Sequence, residues 1–312
     1  MTTMTPERIE PVLLQAARGG SWRRALAGRS VTVVGLARSG VAACRLLRRL
    51  GARVTGTDLR GPDAVGAEAR ALSEDGVALV LGGHPPAAFE TADLVVMSPG
   101  VTADHPALAS ARARGVPILG ELELAYRTMT AEFVAITGTN GKTTTTALTG
   151  ALLAESGRPV LVGGNIGRPL AADALTFAED GWVVAEVSSF QLETVDAFRP
   201  HVAAVLNVTP DHLDRHGSLA AYAAAKARIF HAQGPRDWGV LNLDDPGAAA
   251  LAPDVRAPLL WFSRRGPVSR GAWVRDGWVT LRLDAEDRPV CPVTEIALRG
   301  AHNLENVLAA TA

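Results

Sequence analysis

Residues 137–145 read Thr-Gly-Thr-Asn-Gly-Lys-Thr-Thr-Thr, directly after the apolar run Phe133-Val134-Ala135-Ile136 and directly before Ala147-Leu148-Thr149-Gly150-Ala151-Leu152-Leu153. A strand that ends in a glycine-rich turn and opens a helix through Gly-Lys-Thr makes a cradle for the phosphates of a nucleoside triphosphate. Gly138 and Gly141 let several backbone N–H groups face one anion, joined by Thr139, Asn140 and Thr144 around the turn. The helix beginning near Thr143 adds the positive end of its dipole. Lys142 is then placed for the β- and γ-phosphate oxygens, and the Thr143 hydroxyl for Mg²⁺. The general pattern carries a glycine five residues before Gly141, where this chain has Ile136, so the match is to a variant loop.

Strand-like and helix-like segments alternate from residue 31 onward, which predicts α/β layers with parallel sheets. The first block has strand candidates at 30–34, 53–55, 77–80, 94–97 and 117–119, and helices at 41–50, 106–114 and 121–130. A second block begins near residue 131, with strand candidates at 133–136, 159–162, 182–185, 202–206 and 239–241. Residues 272–281 read as a hairpin with Asp276-Gly277 at its turn, a small antiparallel addition. Asn303 to Ala310 reads as a helix that no Gly or Pro closes, so the 312-residue chain is expected to be cut short.

The balance of charges, formally −1 with a pI near 6.7, offers no basic field for nucleic acid. Anions must therefore be met by local devices. Cys44 and Cys291 form neither a disulfide framework nor a zinc spacing. Charges at Glu7, Arg8, Glu10, Arg18, Arg23 and Arg24 interrupt the N-terminal stretch, which lacks the apolar core of a signal peptide, and no segment reaches the length of a membrane span. A cytoplasmic protein is expected.

Gly35-Leu36-Ala37-Arg38-Ser39-Gly40 also follows a strand and opens a helix, and Asp58 ends the next strand, poised for a ribose. The middle glycine of the dinucleotide fingerprint is here Ala37. That glycine is the one that lets a pyrophosphate approach the backbone closely, so a phosphate-bearing ligand other than NAD fits better. Arg38 and Arg60 are candidates for phosphate or a base edge, or are solvated surface arginines.

Glu186 closes the apolar run 182–185 and precedes Val187-Ser188-Ser189-Phe190-Gln191-Leu192-Glu193. A carboxylate at a strand end beside a phosphate loop suits Mg²⁺, which takes one or two carboxylates with phosphates and water. The next strand ends in Asn207-Val208-Thr209-Pro210-Asp211-His212-Leu213-Asp214-Arg215-His216-Gly217, whose spacing fits no common zinc template. His212 is a candidate for Mg²⁺ or a phosphate, and Asp211 for capping the turn. Lys226 lies within a helix predicted over 219–230, where position alone makes it an exposed lysine.

In combination these segments resemble the Mur ligases, the ATP-dependent amide-forming enzymes that build the bacterial cell-wall peptide. The matching pieces are residues 35–40, Ser98-Pro99-Gly100, 137–144, Gly163-Gly164-Asn165-Ile166-Gly167, 186–193, 207–217, Lys226 and His302-Asn303-Leu304-Glu305-Asn306, which recur in family order along nearly the whole chain. Glu-Val-Ser-Ser-Phe-Gln-Leu-Glu discriminates most. It points to the branch that joins D-glutamate to UDP-N-acetylmuramoyl-L-alanine.

The resemblance implies a Rossmann-like UDP-binding domain over 1–130 and a P-loop-type ATPase domain over 131–312, with a mainly parallel sheet. Lys142 and the loop backbone would bind ATP, with Asn303 and Asn306 near the adenosine. Thr143 and Glu186 would serve one Mg²⁺; Glu186, His212 and a carbamylated Lys226 would serve a second. Asn165, Ser188 and Gln191 would meet the muramoyl-peptide, while Arg38, Ser39, Arg60, Ser98 and Gly100 would hold the uridine diphosphate. The implied chemistry is phosphoryl transfer to a substrate carboxylate, attack by the amine of D-glutamate, and release of ADP and phosphate. A monomer is expected.

The family's third, amino-acid-binding domain has no counterpart in the 312 residues, so this polypeptide is expected to bind its nucleotides and ligate little unaided. Other readings leave more unexplained. A nicotinamide-dependent oxidoreductase does not account for residues 137–226. A folate-polyglutamating ligase does not account for residues 35–40 or Ser188-Ser189-Phe190-Gln191. A binding-only module is the non-enzymatic alternative.

Overall fold

The computed structural model describes residues 13–102 and 105–312; the charges at Glu7, Arg8 and Glu10 lie outside the described residues. The chain divides into two compact units, Met1–Thr130 with Ala171–Leu175, and Ala131–Leu170 with Thr176–Ala312.

In the first unit five short apolar runs form β1 (Ser30–Val34), β2 (Arg53–Asp58), β3 (Ala78–Leu81), β4 (Leu94–Met97) and β5 (Ile118–Gly120). All pair in parallel, in the order β3-β2-β1-β4-β5. Parallel sheets need cover on both faces, and Val34, Phe89, Val95, Met97, Leu108 and Ala111 form part of the packed core. Strand β2 continues past its apolar signal at 53–55 and ends at Asp58, where that carboxylate was expected. The following helices are Arg38–Arg49, which starts three residues earlier than its sequence signal, and Glu121–Thr128. The detached segment Ala171–Leu175 is pinned where the Ala171 N–H donates to Glu121 Oε1 at 2.6 Å. Burial pushes the Glu121 carboxyl up to about 7, opposed in part by that hydrogen bond.

The second unit holds a nine-stranded sheet: β6 (Glu132–Thr137), β7 (Val160–Gly164), β8 (Trp182–Glu186), β9 (Val202–Val205), β10 (Trp238–Asn242), β11 (Leu259–Ser263), β12 (Gly271–Arg275), β13 (Trp278–Arg282) and β14 (Arg288–Pro292). Its order is β14-β13-β12-β11-β10-β9-β6-β8-β7. Pairing is parallel from β7 to β12, and antiparallel only at β12-β13-β14. The hairpin is the expected antiparallel addition, and it continues the main sheet, because β11, which the sequence reading passed over, bridges it to β10. Asp276 (φ 50) and Gly277 (φ 78) both take the left-handed backbone that a two-residue hairpin turn demands.

Helices Lys142–Ala154 and Ala301–Thr311 pack against each other. Leu308 and Ala309 enter a core with Val134, Ile136, Val184 and Ala204. Among the described residues no helix is long and apolar enough to cross a membrane.

Candidate active site

Strand order explains where the phosphate loop lies. Strand β6 pairs with β8 on one side and β9 on the other, while β7, which follows it in sequence, sits beyond β8. Chain direction across the sheet thus reverses between β6 and β9, and ligands of open α/β sheets bind at the carboxyl ends of strands at such a point. The loop after β6, Glu186 at the end of β8, and the 207–212 loop after β9 all belong to that edge. In register, Ile136 lies opposite Glu186 and Thr137 opposite Val205.

Gly141 is the position that requires glycine. Its φ is +83, and a Cβ there would collide with Asn306 Oδ1. Gly138 has no left-handed φ; its role is close approach, since a Cβ would stand 3.0 Å from the Leu206 Cβ. The helix begins at Lys142, one residue before its expected start, and its opening N–H groups lack intrahelical carbonyl partners.

Lys142 Nζ donates to the carbonyl oxygens of Gly138 (3.0 Å) and Thr139 (2.8 Å), so the loop's own carbonyls hold the ammonium group. Burial lowers its pKa, while Glu186 and Asp211 oppose the shift. Lys226 overturns the expectation from helix position: only 1% of it is exposed, because Tyr222, one turn earlier on the same face, is buried with it. Its Nζ donates to Gly138 O at 2.8 Å and lies 4.4 Å from the Tyr222 ring centroid. Burial, then repulsion from Lys142, pushes Lys226 down to about 7, with Asp211 pulling the other way. The field of Asp211 at both lysines was not anticipated, though its side chain also folds the turn by accepting the His212 N–H at 2.9 Å.

Thr143 Oγ1 donates to Glu186 Oε2 at 2.8 Å, and Asn165 Nδ2 donates to Glu186 Oε1 at 2.8 Å. A hydroxyl and a carboxylate oxygen beside a phosphate cradle fit Mg²⁺, which prefers hard oxygen donors and keeps phosphates and water in its shell. Lys226 fits a cation only if its nitrogen carries a carboxylate. His212 sits at φ 50, half exposed, with its ring centroid 5.0 Å from Phe190 and 6.5 Å from Tyr222. Among the described residues no hydrogen bond or ion pair joins His212 to Glu186 or Lys226, and no three His, Cys, Asp or Glu side chains are arranged around a metal.

Ser188 and Gln191 form a reciprocal capping box at the start of helix Ser189–Leu192. The Gln191 N–H donates to Ser188 Oγ, and the Ser188 N–H donates to Gln191 Oε1. Asn303 and Asn306 are linked, Asn306 Nδ2 donating to Asn303 Oδ1 at 3.2 Å, and Asn306 Oδ1 accepts from the Thr145 hydroxyl. Asn306 lines a cavity of about 400 Å³ with Asn140, Gly141, Asn207, Asn242 and Phe262. Of these, Asn207, Asn242 and Phe262 were not singled out from sequence. The signal was present: Asn242 ends its parallel strand, Phe262 is the last residue but one of its own, and Asn207 lies two residues past the end of β9.

In the first unit the glycine loop follows β1 and Ser98-Pro99-Gly100 follows β4, at the switch point of the β3-β2-β1-β4-β5 order. Ser98 Oγ donates to Gly35 O at 2.7 Å. A Cβ at Gly40 would strike that same carbonyl. Arg38 and Ser39 open the helix beside them. Asp58, read above as poised for a ribose, is engaged instead. It accepts the Leu36 N–H (2.7 Å), the Arg60 N–H (2.9 Å), Arg60 Nε (2.9 Å) and Arg60 Nη2 (2.8 Å). The Arg60 guanidinium holds the Asp58 carboxyl well below the usual carboxylate range, and Arg60 is raised in turn.

A glycine-rich loop at a switch point with a threonine–glutamate pair, preceded in sequence by a Rossmann-like unit, defines an α/β protein of the P-loop type. More closely, the chain belongs to the Mur ligase family: residues 136–312 match the Mur ligase middle domain and residues 29–120 the "Mur ligase MurD-like, N-terminal domain". It is 50% identical over 287 residues to the UDP-N-acetylmuramoylalanine--D-glutamate ligase of Acidobacterium capsulatum, covering 91% of this chain and 62% of that protein. It is 52% identical over 295 residues to the ligase of the same name from Anaeromyxobacter dehalogenans, covering 91% and 63%. The chain thus spans less than two thirds of these relatives. In fold it is similar to the UDP-N-acetylmuramate:L-alanyl-gamma-D-glutamyl-meso-diaminopimelate ligase of Neisseria meningitides, with a TM-score of 0.59 at 18% identity, covering 91% of this chain and 92% of that one.

Proposed function

We propose that the protein is an ATP-dependent amide ligase of peptidoglycan precursor synthesis, joining D-glutamate to UDP-N-acetylmuramoyl-L-alanine in the cytoplasm, as a monomer. The observation that carries this reading is the Thr143–Glu186 pair beside the phosphate loop, in a chain about 50% identical to ligases of that name.

In this reading Met1–Thr130 forms the UDP-binding domain and Ala131–Ala312 the ATP-binding domain. Arg38, Ser39, Ser98 and Gly100 bind the uridine diphosphate. Arg60 contributes less directly, since Asp58 occupies much of its fork. Within the loop from Gly138 to Thr144 the amides from Gly141 onward bind the triphosphate, since the Thr139 and Asn140 N–H groups, expected to face the anion, donate to Asn207 instead. The cavity lined by Asn306 takes the adenosine, with Asn303 bracing that asparagine. Thr143 and Glu186 hold one Mg²⁺, Asn165 keeping the carboxylate aimed. When bound, Mg²⁺ supplies charge neutralisation of the phosphates. Lys142 leaves the loop carbonyls for the γ-phosphoryl oxygens and stabilises charge during transfer to the substrate carboxylate. The amine of D-glutamate then attacks the acyl phosphate, the new C–N bond forms, and phosphate departs.

Carbamylation of Lys226 is part of the proposal. A lysine pushed down to about 7 is substantially neutral near physiological pH, and a neutral amine adds CO₂ with loss of one proton to give a carbamate. That anion, with Glu186 and His212, would serve a second Mg²⁺. Phosphate release from ATP that requires both UDP-N-acetylmuramoyl-L-alanine and D-glutamate, with formation of the amide product, is the expected result. Turnover with L-glutamate or another amino acid in preference, or none with the whole protein, would remove the assignment.

A further inference from the structure

The phosphate loop is held by a side chain that also lines the proposed adenosine cavity, and whose bonds to the loop the proposed chemistry does not use. Asn207, just past β9, makes a two-way pairing with the backbone of Asn140: Oδ1 accepts the Asn140 N–H at 2.8 Å, and Nδ2 donates to the Asn140 carbonyl at 3.1 Å. The Asn207 carbonyl accepts the Thr139 N–H at 3.0 Å. Two residues on, the Thr139 hydroxyl accepts the Thr209 N–H (3.1 Å) and donates to the Thr209 carbonyl (3.2 Å). Five hydrogen bonds therefore join two residues of the phosphate loop to the start of the segment that ends in Asp211 and His212.

This has two consequences. The N–H groups of Thr139 and Asn140 are committed to Asn207, so the anion-binding work falls to the amides that follow, at the helix start, and the tilt of those amides depends on the clasp. The clasp also makes the phosphate loop and the 207–212 loop one mechanical unit. A ligand that shifts Asn140 must shift the backbone that carries Asp211, whose field reaches both Lys142 and Lys226.

We infer that Asn207 is a positioning residue: it presets the phosphate loop for its anion and transmits occupancy of that loop to Asp211 and His212. This rests on the proposed nucleotide site, but its first readout does not need a nucleotide. The test is amide hydrogen exchange together with ADP titration on the whole protein, for Asn207→Ala and Asn207→Asp. In Asn207→Ala the Asn140 amide should exchange faster by about tenfold or more without nucleotide, and ADP should bind about tenfold more weakly, at a nearly unchanged melting temperature. Asn207→Asp keeps an acceptor for the Asn140 N–H but loses the donor. It should restore the protection of that amide without restoring ADP affinity, a separation that a merely structural residue would not give. In the unaltered protein ADP should protect the amides of Asp211 and His212, and in Asn207→Ala it should not.

Unchanged exchange at Asn140 in the alanine variant overturns the inference. So does unchanged ADP affinity despite faster exchange, or a melting temperature that falls along with affinity. If the unaltered protein binds no ADP, the proposed function and the transmission to His212 fall together, while the exchange at Asn140 still decides whether the clasp exists.

Discussion

The ammonium groups of Lys142 and Lys226 meet on one atom, the carbonyl oxygen of Gly138, at 3.0 and 2.8 Å. Two cations sharing an acceptor repel, and the more deeply buried of them yields its proton more readily. The arrangement resolves when either one leaves or one loses its charge. Phosphate binding would do the first and carbamylation the second.

Stability should report this cost through pH. In the unfolded chain Lys226 keeps its ordinary value of 10.5, against about 7 in the fold. Below pH 7 both states hold the proton and the fold bears the full cost of the buried charge. Between 7 and 10.5 the unfolded chain binds more protons, so this contribution becomes less unfavourable as pH rises. Lys226→Met should therefore stabilise the protein most below pH 7, by on the order of a few kcal/mol, with the gain shrinking towards pH 10.5. Denaturant melts of both proteins across that range measure it; a gain that grows with pH refutes the assignment.

Glu186→Gln should separate folding from metal use. The amide keeps one acceptor but turns a second donor toward either Thr143 or Asn165, both of which donate to the carboxylate. The melting temperature should change by only a few degrees, while the Mg²⁺-dependent part of nucleotide affinity falls about tenfold or more. Titrating nucleotide with and without Mg²⁺ gives both numbers, and an undiminished Mg²⁺ effect argues against Glu186 as a ligand.

Gly141→Ala should damage the loop more than its size suggests. The backbone conformation costs an L-residue about 1 kcal/mol or more, and the added methyl group displaces Asn306, which accepts from the Thr145 hydroxyl. Loss of about 1–3 kcal/mol of stability and at least about tenfold in ADP affinity is expected by denaturation and calorimetry. An alanine variant that binds ADP normally would show that the loop does not need this conformation.

In the first unit, Asp58→Asn should weaken the fold at neutral pH by about 1–3 kcal/mol, since Leu36 and Arg60 lose a charged acceptor. The Asp58 pKa is depressed in the fold, so its contribution is complete above the unfolded value of 3.8 and is lost as pH falls toward the folded one. The difference between the two proteins should shrink on acidification below 3.8. A constant difference down to the lowest pH would trace the effect to packing instead.

Local signals made much of this legible. The run Phe133-Val134-Ala135-Ile136 before Gly-Lys-Thr fixed strand, loop and helix to within a residue, because apolar continuity, glycine and helix-opening residues act over a few positions. What escaped was set by long-range pairing. β11 is a five-residue strand, four of them apolar, with no motif, and its importance lies in joining β10 to β12. Lys226 reads as a surface lysine until Tyr222 is known to face inward. Asp58 looked available for a ribose because no local rule announces that Arg60, two residues on, will grip it with both arms. Asn207 is unremarkable in sequence, since its partner stands 67 residues earlier.

The five residues Ala171–Leu175 bear on how this protein can be divided. The chain passes from one unit to the other three times, at 130/131, 170/171 and 175/176, so no single proteolytic cut can release either unit intact. A fragment running from 131 to 312 would carry Ala171 and Ala174, nearly inaccessible in the fold, without the surface that Glu121 helps to provide. Recombination that swapped residues 1–130 between relatives at a single junction would leave this insert matched to the wrong host, so these five positions are bound to change with the first unit although they lie within the sequence of the second.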